Sequence, residues 1–126
     1  MVTCLLIDQN AAKRSRINGL LGQLGIACNE LADAESGVQF CHDNKPDVVL
    51  LEASALPRAN DFLRLVREQG RHTGRPVVIL YATAADMSAM GESILNGASE
   101  FLMVPFDLDL LRFKLEQSGV LLAKAA

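Results

Sequence analysis

The sequence predicts an α/β protein: a doubly wound, five-stranded parallel sheet with five helices, in one domain over residues 1–126. Three observations predict it. Short apolar runs recur along the chain, a stretch of helical periodicity follows each run, and no linker, repeat or low-complexity segment interrupts the alternation. A chain of 126 residues has enough length for one core that buries roughly two-thirds of the surface exposed on unfolding.

The first strand is the run VTCLLI. After it, Ile17, Leu20, Leu21 and Leu24 fall at i, i+3, i+4 and i+7 on one helical stripe, and Gly25 stops the helix. The run IACNELA makes a second, more polar strand, nearer an edge. Residues 33–44 read as a helix that buries Val38 and Cys41 and ends at Pro46. The run DVVLL is continuous and β-branched, as a central parallel strand covered on both faces should be. Asn60 caps a third helix, in which Phe62, Leu65 and Val66 share a face. The loop GRHTGRP leads into VVILY, the fourth strand. Met87, Met90 and Ile94 mark a fourth helix that Gly97 terminates, and their spacing suits a core stripe. EFLMV is the fifth strand. Beyond Pro105, Leu108, Leu111 and Leu115 line the last helix.

Composition excludes several classes of function. The net charge of −3 leaves no basic footprint for nucleic acid. Cys4, Cys28 and Cys41 form no CxxC pair and have no histidine cluster beside them, so neither a disulfide framework nor a zinc site is indicated and a reducing cytoplasm fits. Their apolar settings suggest burial without redox sensing. The opening MVTCLLIDQN has no basic leader and is too short for a signal peptide or a membrane span. His42 and His72 lie in polar surroundings without the serine or cysteine that hydrolysis would need.

Right-handed crossovers place the carboxyl ends of all five strands on one edge, where α/β sheets present their sites. Asp8 and Gln9 follow the first strand and Glu52 ends the third. Tyr81 and Ala82 end the fourth, and Val104 with Pro105 ends the fifth. These residues are expected to meet.

Over nearly its whole length, the order and spacing of LLIDQN, KPDVVLLEASALP and NGASEFLMVPF resemble the CheY-like receiver domain of two-component response regulators, a flavodoxin-like fold. The resemblance assigns roles to the strand ends. It puts Gln9 where the family has the second acidic residue, a direct Mg²⁺ ligand, and leaves Asp8 alone of the pair. Glu52 matches the phosphoacceptor aspartate, and its extra methylene moves the carboxylate outward by about 1.5 Å. In-line attack tolerates little displacement, since about 1 Å can cost on the order of 100-fold. Tyr81 matches the threonine or serine that senses the phosphoryl group, with Thr83 as the alternative if the loop is registered two residues later. Val104 matches the lysine that pairs with the acyl phosphate. Phe101 matches the aromatic residue of the output face, a switch or interface position, and Tyr81 is expected to fill the space into which that ring would turn. The spacing from Glu52 to Pro57 is one residue longer than the family's.

The resemblance, with these departures, implies a pseudo-receiver. No catalytic residue, metal or cofactor is expected, and the chain is not expected to be an enzyme. Its function would be phosphorylation-independent protein–protein interaction in a phosphorelay. The implied partners are a histidine kinase, a phosphotransferase or another regulator, docked on the fourth helix, fifth strand and fifth helix. Whether Glu52 mimics the phosphorylated aspartate stays open. Two alternatives remain: a receiver still phosphorylated by a kinase, and a sensor of cyclic dinucleotides or other small ligands. Lys13, Arg14, Arg16 and Arg58, with Arg64, Arg67, Arg71 and Arg75, would serve a small anion, although a solvated face is the default for such groups and they form no specific motif.

Overall fold

The computed structural model describes residues 2–52, 61–65, 76–83, 86 and 100–121. It contains β1 (Thr3–Ile7), α1 (Ala11–Gln23), β2 (Ala27–Leu31), α2 (Ala34–Asn44), β3 (Val48–Glu52), a helical segment α3 over residues 61–65, β4 (Val77–Ala82), β5 (Glu100–Met103) and α4 (Leu108–Gln117). The helix expected around Met87, Met90 and Ile94, the Asn60 cap, and Arg58, Arg67, Arg71 and Arg75 fall outside the described residues.

All pairings are parallel, in the order β2-β1-β3-β4-β5. β3 is buried at every position, the consequence of a continuous apolar run with helices on both sides. β2 alternates weakly and is mostly exposed, as its polar run and edge position require.

Alternate residues divide the core in two. Leu5 and Ile7, Val49 and Leu51, and Val78 and Leu80 face α2 and α3, with Cys41, Phe62 and Leu63 packed on them. Cys4 and Leu6, Val48 and Leu50, Ile79 and Tyr81, and Leu102 face α1 and α4, covered by Ile17, Leu21, Leu111 and Leu115. The contact of α2 with the sheet is close at Gly37, where an added Cβ would stand 2.6 Å from Ile7 Cδ1 and 3.0 Å from Phe62.

Helix ends follow local chemistry. The side chains of Asn10, Asp33 and Asp107 accept from the backbone N–H groups of Lys13, Ser36 and Leu110, each satisfying a donor that the first helical turn leaves open. Gly25 ends the α1 turn at φ +75°, a conformation glycine adopts without a steric penalty. Among the described residues, no helix is long and apolar enough to cross a membrane.

Candidate functional site: a closed acidic corner at the sheet edge

The rows facing α1 and α4 do not end in apolar residues. Two places beyond Leu6 stands Asp8, two beyond Leu50 stands Glu52, and two beyond Ile79 stands Tyr81. The period of two that buries the core thus delivers three polar groups to one corner. Asp8 and Glu52 are the buried charged residues among those described, 3% and 8% exposed.

Asp8 is fully engaged. Its Oδ1 accepts from the Asn10 backbone N–H at 2.8 Å, and its Oδ2 accepts from the Tyr81 hydroxyl at 2.8 Å. Lys13 Nζ lies 3.8 Å from the same Oδ2. The Arg14 guanidinium donates to the Asp8 backbone carbonyl and pairs with Glu30 across 3.3 Å, while Asn18 donates to the other Glu30 oxygen at 2.8 Å. Two of the three cations at the start of α1 are therefore tied to the protein's own acids. Arg16 is exposed and has no ion-pair partner among the described residues.

Tyr81 is completely buried, in register with Glu52 across the β3–β4 pair. Its ring meets Phe106 edge to face, with centroids 6.3 Å apart and planes at 78°. Burial pushes its pKa well above the ordinary phenol value, and the hydrogen bond to Asp8 with the negative charges of Asp8 and Glu52 pushes in the same direction. The phenol therefore stays protonated and donates. Ala82 is buried on the opposite face.

The other predicted positions lie around this corner. Thr83 is exposed, and its hydroxyl bonds Asp86 Oδ2 at 3.2 Å while accepting from the Asp86 N–H at 3.4 Å. Val104, joined to Pro105 by a cis peptide, lines an apolar cavity of about 260 Å³ with Ile17, Leu20 and Phe106, and Lys13 and Arg16 also border it. No cation comes from that position. Gln9 is exposed and neutral.

Phe101 overturns one expectation. It packs with Leu80 on the α2 and α3 side, whereas Tyr81 belongs to the other layer, so the two rings lie on opposite faces of the sheet and Tyr81 does not fill the space of Phe101. Adjacent sheet positions point opposite ways, and their pairing partners, Leu80 with Phe101 and Tyr81 with Leu102, carry that alternation into β5.

The donor set does not fit the divalent ion that the family's second acidic residue would hold. Both Asp8 oxygens already accept hydrogen bonds, Gln9 supplies no charge, and no group of three or more His, Cys, Asp or Glu converges among the described residues. A hard cation such as Mg²⁺ prefers an octahedron of oxygens anchored by carboxylates.

Sequence reasoning did not find the network of Arg14, Asp8 and Glu30. The signal available was Asn10, a capping residue directly after the strand, which fixes where α1 starts and hence where Arg14 points.

A family model described as the response regulator receiver domain matches residues 4–116. The transcriptional regulatory protein KdpE of Staphylococcus aureus is 33% identical over 57% of this chain and 30% of its own length. The regulatory protein AtoC of Escherichia coli is 25% identical over 90% of this chain and 24% of its own. The chain thus spans about two-fifths or less of the length of the curated relatives it matches. Among solved structures, the receiver domain of sensor histidine kinase PA1611 from Pseudomonas aeruginosa, with a magnesium ion in its active-site cleft, has a TM-score of 0.78 at 24% identity, covering 94% of this chain and 98% of that one. The receiver domain of Saccharomyces cerevisiae Ssk1, crystallised with the histidine phosphotransfer protein Ypd1, has a TM-score of 0.81 at 11% identity, covering 94% and 88%. These two likenesses establish the fold, and the match to the family model over 4–116 establishes that the chain belongs to the response regulator receiver domain family.

Proposed function

We propose that this receiver of two-component signalling has given up phosphoryl transfer and acts as a pseudo-receiver, a phosphorylation-independent interaction module. The observation that carries the reading is the Tyr81 hydroxyl seated on Asp8 Oδ2 at 2.8 Å inside the buried corner. Phosphoryl transfer rests almost entirely on positioning and on cations that meet the charge developing in the transition state. Here the acid that would hold a metal is hydrogen-bonded to a phenol, Gln9 and Val104 bring no charge, and Glu52 replaces the shorter aspartate. Catalytic chemistry is absent from this reading, and the chain works in the cytoplasm as one domain.

The partners in this reading are a histidine kinase, a phosphotransferase or another regulator, as the complex of the Ssk1 receiver with a phosphotransfer protein illustrates for that relative. Met103 on β5 and Leu110 and Phe113 on α4 are large apolar residues left exposed, Phe113 at 55%. They support a docking face on β5 and α4. The cyclic-dinucleotide alternative is weakened because Arg14 is committed to Asp8 and Glu30.

Mass spectrometry after incubation with acetyl phosphate and Mg²⁺ tests the proposal. The expected spectrum is unchanged, and a stable gain of one phosphoryl group would end the reading. The reconstruction is sharper. Gln9→Asp, Glu52→Asp and Val104→Lys together should stay inert while the tyrosine holds Asp8, and adding Tyr81→Thr should restore phosphorylation. Phosphorylation of the triple variant alone would remove Tyr81 from the explanation.

A further inference from the structure

Outside the acidic corner, β1 and β2 bring two cysteines together. Cys4 and Cys28 are direct register partners in the parallel β1–β2 pair, and both side chains pack into the layer facing α1 and α4. Neighbouring strands run about 4.8 Å apart, inside the window of roughly 4.4–6.8 Å between Cα atoms that a disulfide spans. Cys4 has no exposed surface, whereas Cys28 sits half-buried on the edge strand. Cys41, the third thiol, is buried in the opposite layer.

We propose that Cys4 and Cys28 form a reversible thiol–disulfide site in which the accessible Cys28 reacts first with a small-molecule disulfide and the buried Cys4 resolves the adduct. The Cys28 thiolate, its proton released to water, attacks one sulfur of the oxidant, forms a mixed disulfide and expels one thiolate. That thiolate takes the proton of Cys4. The Cys4 sulfur then attacks Cys28, the bond between the strands forms, and the second half of the oxidant leaves as a thiolate that water protonates. Two protein thiols are oxidised and one disulfide is reduced to two thiols, so electrons and protons balance.

The surroundings suit this division of labour. The interaction with Cys4 lowers the pKa of Cys28 and the interaction with Cys28, followed by burial, raises that of Cys4, so of the two it is the accessible sulfur that loses its proton more readily. A disulfide takes Cβ atoms about 3.5–4.5 Å apart, closer than neighbouring strands stand, so the bridge would draw β1 and β2 together and should be strained and easily reduced, a property of labile rather than structural disulfides. It would tie the edge strand to the strand that leads into Asp8.

The test is oxidation of the folded, reduced chain with oxidised glutathione, followed by alkylation in denaturant, intact mass and peptide mapping. The expected product is a monomer lighter by two hydrogen atoms, in which titratable thiols fall from three to one, Cys41 alone is alkylated, and dithiothreitol restores all three. Cys41→Ser should behave like wild type, and Cys4→Ala should stop at a glutathione adduct on Cys28. The wild-type product decides the matter without a variant. An adduct that persists on Cys28, a covalent dimer through Cys28, a bridge that includes Cys41, or three unreacted thiols would each overturn the proposal.

Discussion

The two faces of the sheet are built from alternate residues of the same strands, yet they end differently. Toward α2 and α3 the rows run through Ile7, Leu51 and Ala82 and remain apolar to the edge. Toward α1 and α4 the same strands finish in Asp8, Glu52 and Tyr81, a polar corner that is just as buried. Among the described residues the first face is packed from apolar side chains, and the other adds a hydrogen bond whose loss would strand a buried acceptor. A single-residue offset in the pleat is all that separates scaffold from site.

The largest effect expected from probing this contrast is on the apolar side. Phe62 is 1% exposed and lies under Gly37 of α2. Phe62→Ala should lower the unfolding free energy in urea by about 3–5 kcal/mol, the transfer loss plus the cavity left behind. The smaller effect is on the polar side, where Tyr81→Phe keeps the ring against Phe106 but removes the donor from Asp8 Oδ2. A loss of about 1–3 kcal/mol is expected for an acceptor left without its partner in a buried setting. If Tyr81→Phe costs less than about 0.5 kcal/mol, the range of an ordinary surface change, the corner is not closed by this bond.

The contrast was only half legible in the sequence. Strand identity was plain where burial on both sides demands a continuous apolar run, as in β3, and the meeting of Asp8, Glu52, Tyr81 and Val104 at one edge followed from parallel topology. The partner of each side chain did not follow. Tyr81 reaches Asp8 across 73 positions of sequence, and nothing local to either residue specifies which way a phenol at a strand end will point. The error over Phe101 has the same root: Tyr81 and Phe101 were assigned to one space by their roles in the family, while the pleat assigns them to opposite faces. The pairing of Cys4 with Cys28 needed the register of β1 against β2, a tertiary quantity. The close approach at Gly37 has no signal in the sequence, because close approach of a helix to a sheet leaves no mark in the helix's own periodicity.

The smallest of these effects separates Cys41 of one face from Tyr81 of the other by titration. On the apolar face burial alone pushes the Cys41 thiol up to about 11, whereas an unfolded chain carries it at about 8.5. A group that holds its proton more tightly in the fold contributes stability below its unfolded pKa and loses it as pH rises toward the folded one. Urea stability should therefore begin to fall near pH 8.5, and about one unit higher the Cys41 contribution should be down by about 1 kcal/mol. Cys41→Ala should start lower for want of the sulfur and show a shallower decline over this range. Tyr81, on the polar face, is also raised, but its unfolded value of about 10 places its decline later than that of Cys41 or of the raised Cys4 in its own layer. Tyr81→Phe should leave the first part of the alkaline limb in place and flatten the part above about pH 10. If both variants altered the same part of the limb, Cys41 and Tyr81 would not titrate independently, and the division between a packed thiol and a hydrogen-bonded phenol would fail.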